Sequence, residues 1–93
     1  MTIDYRSEYD LRAIEELLLT AYSAEELQAL IAYDEELARL RYEFSPNDAI
    51  VDMAYKTIEY CERFLLMDYF LSLVEQDRPA QYAQFEGKIR LDR

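Results

Sequence analysis

Histidine and tryptophan are missing from this 93-residue chain, glycine and cysteine occur once each, and proline occurs twice. Without histidine the chain lacks the usual general base, the proton shuttle and the commonest metal ligand, and a serine or cysteine nucleophile would have no partner. The single glycine, Gly87, excludes Walker and dinucleotide loops, which need several. With two prolines it also leaves little turn chemistry for a sheet. Cys61 alone cannot form an intramolecular disulfide, and its place on an apolar helical stripe suits a small core hydrophobe. A reducing, cytoplasmic setting is therefore expected. No apolar run approaches the roughly 18 residues of a membrane span, and Asp4, Arg6, Glu8, Asp10, Arg12, Glu15 and Glu16 rule against a secretory signal. The neighbouring carboxylates Glu15-Glu16 and Glu25-Glu26 diverge by about 100° on a helix, and Asp34-Glu35-Glu36 lacks the central glycine of a calcium loop. No catalytic residue, metal or cofactor is expected, and the chain reads as a non-enzyme.

What the chain does have is helical periodicity, and the fold class it predicts is all-α, a compact bundle of five to six helices in one domain. The central element is expected at 48–65, where Ile50, Ala54, Ile58, Cys61 and Leu65 recur at three- and four-residue steps, widened by Val51, Met53 and Phe64. Asp10 is placed to cap a first helix that buries Leu11, Ile14, Leu17, Leu18 and Ala21. Ser23-Ala24-Glu25-Glu26 fits a capping box, with Tyr22 and Leu27 as its hydrophobic staple, ahead of a short second helix burying Leu27, Leu30 and Ile31. Asp34 restarts the pattern for a third short helix through Leu37, Leu40 and Phe44. After the break at Pro46, Asn47 or Asp48 is expected to cap the long helix. A helix at 67–75 follows, with Asp68 as its cap and Phe70, Leu71 and Val74 inward; Pro79 then opens a last short helix through Phe85. The expected division is a lead-in at 1–9, in which Ile3 and Tyr5 cover the core edge, a helical domain at 10–85, and a tail or linker at 86–93.

Twenty acids against ten bases give a net charge of -10, which argues against direct binding to nucleic acid or an anionic membrane. Residues 1–44 hold eleven acids and four arginines, a net of -7, so a basic protein surface suits the first half as partner. Glu25, Glu26, Asp34, Glu35 and Glu36 form the candidate docking surface, since two successive helix starts would display them on one corner. The competing reading is that they stabilise helix dipoles and sit in solvent. Nine tyrosines against four phenylalanines suit the rim of a small core and also protein interfaces. Tyr55, Tyr60 and Tyr69 are the candidate contacts among them.

The stretch Leu17-Leu18-Leu19-Thr20-Ala21-Tyr22-Ser23-Ala24-Glu25-Glu26-Leu27 resembles the leucine-rich first helix and "F-S-x-x-E-L" entry of bacterial effector-associated domains, also described as death-like domains. Ile58-Glu59-Tyr60-Cys61-Glu62-Arg63, then Asp68-Tyr69-Phe70-Leu71, then Arg78-Pro79-Ala80-Gln81-Tyr82, are similar to the family's later signatures. The chain departs from it at Phe64-Leu65-Leu66, where the family commonly has a basic, glycine-containing turn. The resemblance implies a six-helix, death-like adaptor in a bacterial conflict or antiphage system. It would couple an effector to a signalling NTPase or scaffold through contacts between like domains, with homo-oligomers as one form. A second reading is an acidic inhibitor that imitates nucleic acid and blocks a DNA-binding protein. A third is an assembly subunit that docks through an exposed apolar helix at 64–74.

Overall fold

The computed structural model describes residues 8–91, and among them the chain forms five α-helices and one 3-10 helix, an all-α bundle. Helix α1 (Leu11–Ala21) starts where expected, with the Asp10 carboxylate accepting from the amides of Arg12 and Ala13 at 3.1 and 3.2 Å. Helix α2 (Ala24–Ala32) opens on the complete capping box: Glu26 N donates to Ser23 Oγ at 3.2 Å, and Ser23 N donates to Glu26 Oε1 at 2.9 Å. Tyr22 and Leu27 are both buried in the core.

The third helix differs from expectation. Asp34 caps a turn, accepting from the amides of Glu36 and Leu37, and the following turn is a 3-10 helix, Ala38–Glu43, rather than an α-helix. Few residues separate this cap from the Pro46 break, and 3-10 geometry aligns residues three apart, so Leu37 and Leu40 are both fully buried.

Helix α3 (Ile50–Arg63) packs against α1, α2, the 3-10 helix and α4, and so occupies the organising place expected for the central helix. Neither Asn47 nor Asp48 caps it. Asp48 turns back to accept from Ser45 N at 2.9 Å and pairs with Lys56 at 2.8 Å, which holds its carboxyl below the usual range. Ala49 takes the N-cap position, and Asp52 reaches back to its amide at 3.0 Å. Thr57, buried on α3, donates its hydroxyl to the Met53 carbonyl at 2.7 Å. Cys61 is fully buried, and burial pushes its thiol up to about 12.

The α3–α4 turn is made without glycine. Leu66 N donates to the Cys61 carbonyl at 2.8 Å, closing a Schellman-type end, and Leu65 takes the left-handed position with φ 59°. Helix α4 (Met67–Asp77) starts one residue ahead of Asp68, leaving that side chain in the first turn rather than at the cap. Its carboxylate instead accepts from Arg90 Nη2 at 2.8 Å and from the Tyr9 hydroxyl.

Helix α5 (Pro79–Ile89) has Pro79 in its first turn, as expected, but continues through Gly87, where a tail was expected to begin. Ile89 is 1% exposed, and its carbonyl accepts from Asp10 N at 2.7 Å. Tyr9 and Arg90 form an antiparallel bridge, and Leu91 N donates to the Glu8 carbonyl at 2.9 Å. One apolar residue past the glycine is enough to draw the end of the helix into the core. Ile3 and Tyr5 lie outside the described residues.

Arg78, between α4 and α5, ties these helices to the α1–α2 turn. Its Nε donates to the Ala21 carbonyl at 3.2 Å, satisfying an acceptor at the end of α1. Its guanidinium lies 4.7 Å from the centroid of the Tyr22 ring, with Asp77 and Glu26 at 3.0 and 3.7 Å. The Tyr22 hydroxyl donates to Asp77, and burial, then that carboxylate, raises its pKa.

Candidate protein-binding surface

Helix α2 turns Leu27 and Ile31, one helical turn apart, into the core. A rotation of 100° per residue then carries Ala29 and Tyr33 to the outer side. Tyr33, the C-cap residue, is 90% exposed. Among the described residues its ring makes no aromatic stacking or cation–π contact, whereas Tyr42 lies under Arg41, and Phe64 lies against Tyr60 and Arg63.

A groove runs beside this ridge, between α2 and α4. Ala29, Leu30, Tyr33 and Leu73 give it an apolar lining, and Glu26, Asp34, Asp77 and Arg78 a charged one. On the other side of the ridge, Ala29 and Tyr33 also border another open depression with Glu25, Gln28, Ala32 and Arg41. The outward face of α2 is thus an apolar ridge framed by carboxylates.

The acidic residues do not share one corner. Glu25 and Glu26 sit in the first turn of α2, while Asp34, Glu35 and Glu36 follow its last residue. The helix between them holds the two groups about 12 Å apart along its axis. Capping accounts for part of the set: Glu26 serves the Ser23 amide and faces Arg78, and Asp34 holds the next turn. Tyr69 does join Asp34, donating its hydroxyl to Oδ1 at 2.7 Å. That hydrogen bond first, then burial and the charges of Asp34, Glu36 and Glu35, push the phenol up to about 12. Tyr60 is half-buried, stacked on Phe64 with ring centroids 4.7 Å apart. Tyr55 is 63% exposed on α3.

A second depression, lined by Arg39, Tyr42, Tyr60, Phe64 and Leu66, lies by the α3–α4 turn. In the 64–74 segment, Phe70, Leu71 and Val74 point inward, leaving Phe64, Leu65 and Tyr69 as its exposed large side chains. Among the described residues, no group of three or more acidic or cysteine side chains gathers as a metal site would require, and no helix is long and apolar enough to cross a membrane. Tyr33 was the residue passed over in the sequence. Its signal was its four-residue spacing from Ala29, opposite the Leu27 and Ile31 stripe. Comparison with protein-family models, curated proteins and solved structures gives no match.

Proposed function

We propose that this chain is a non-enzymatic protein-interaction module whose outer α2 face receives a partner protein. The observation that carries the reading is Tyr33, a large aromatic ring left almost wholly in solvent beside a small apolar floor. Exposed tyrosines of this kind supply much of the energy at protein interfaces when a partner desolvates them. The carboxylates around the groove suit a partner of basic surface. The resemblance to death-like domains extends the reading to an adaptor that couples an effector to a signalling NTPase or scaffold.

The test is capture from nuclease-treated lysate of the source cell by the tagged chain and by its Tyr33→Ala variant. The expected result is a protein recovered by the parent, lost with Tyr33→Ala at unchanged melting temperature, and retained by Tyr55→Ala. Equal recovery by parent and Tyr33→Ala overturns the proposed surface. Recovery only of DNA-binding proteins, displaced by added nucleic acid, supports acidic imitation instead.

A further inference from the structure

Resting on the interaction reading above, we infer that the α2–α4 groove takes a basic amphipathic helix of another protein, with its apolar stripe on Ala29, Leu30 and Leu73 and its cations toward the carboxylate ends. Three observations converge on that occupant. The lining is small-sided at Ala29, which lets a second helix approach to the 8–10 Å spacing of packed helices. The groove extends from Glu26 to Asp34, eight residues or about 12 Å, which matches an i, i+4, i+7 set of anchors on one helical face. Addition of a β-strand would need an unpaired sheet edge, and both walls are helices, whose main-chain groups are already bonded.

Charge selects the sign of the flanks. Glu26, Asp34 and Asp77 face the groove against one cation, Arg78, and that guanidinium is already held by the Ala21 carbonyl, the Tyr22 ring and two of the same carboxylates. The net field along the groove is negative. A second copy of this chain would bring its own net charge of -10 to that field, so repulsion disfavours self-association there. A helix of two or so turns covers a small area, and the contact is a transient one.

The experiment uses a fluorescein-labelled synthetic 14-residue helix with leucines at i, i+4 and i+7 and lysine and arginine on the flanks, together with a scrambled peptide of identical composition. Fluorescence anisotropy is read against the purified chain and its variants, and sedimentation velocity reports the chain's own oligomeric state. The helix is expected to bind at least tenfold more tightly than the scramble and to weaken as salt rises. Tyr33→Ala and Ala29→Arg should each reduce its affinity about tenfold or more, and Tyr55→Ala should leave it unchanged. Equal binding of helix and scramble would reduce the effect to charge alone and overturn the inference, as would indifference to Tyr33→Ala. A dimer dissociated by Tyr33→Ala would replace the foreign helix with a second copy. If cellular capture depends on Tyr33 while the basic helix fails to bind, the occupant assigned here is wrong and the interaction reading stands.

Discussion

Leu65 is in the wrong conformation for its side chain, and replacing it with glycine should stabilise the protein. It sits at φ 59° in the position after the α3 C-cap, where a Cβ crowds the following carbonyl. Removing that crowding is worth about 1–2 kcal/mol. Two terms oppose it. Glycine frees the unfolded chain, which costs about 0.4–1 kcal/mol. The side chain is 90% exposed, so deleting its small buried fraction costs only about 0.2 kcal/mol. With each term at the middle of its range the balance for Leu65→Gly is a gain of about 0.6 kcal/mol, or a rise of about 3 °C in melting temperature for a domain of this size. Leu65→Ala keeps the Cβ and should stay within about 0.5 kcal/mol of the parent. Urea titrations of the three proteins, fitted with a common slope, decide the matter. If Leu65→Gly is no more stable than Leu65→Ala, the turn relaxes around its leucine and the strain argument is refuted.

Arg78→Ala should destabilise by about 2 kcal/mol, since it strips a charged donor from the Ala21 carbonyl and a cation from the Tyr22 ring. Arg78→Lys, lacking the planar fork, should recover only part of that loss in calorimetry. Ile89→Ala should cost about 2–4 kcal/mol as a core truncation, while Lys88→Ala beside it should stay within about 0.5 kcal/mol; equal effects would mean that the end of α5 is not part of the core. The Asp68 carboxyl is held below its usual range by the Tyr9 hydroxyl and then by Arg90. A depressed folded pKa contributes stability that is complete above the unfolded value, near 3.9, and is lost as pH falls from there through the folded value. Asp68→Asn should therefore lose less stability than the parent as acid is added below about pH 5, measured by urea midpoints at each pH.

Most of the helical framework was readable because local signals agreed with one another. Asp10, the Ser23–Glu26 box and Pro79 each act within three residues of their own position, and each performs the role its spacing suggested. The readings that failed turned on competing partners, most of them beyond the cap's own turn. Asp48 and Asp68 are good caps by composition, yet Lys56, Arg90 and Tyr9 take up their carboxylates. The extension of α5 depended on Ile89 finding the core beside Asp10, a pairing across most of the chain that no periodicity announces. The surface divided in the same way. Acids at 25, 26 and 34–36 were visible as a run of charge, but only the intervening length of α2 shows that they frame Tyr33 instead of forming a single patch.

The most direct measurement places a photo-crosslinking phenylalanine analogue at position 33, at position 55 or at position 69, and irradiates source cells expressing each form. One discrete adduct is expected from position 33, lost when Ala29→Arg is added, with position 55 giving none. An adduct from position 55 with none from position 33 would contradict it and move the interaction surface to the outer face of α3.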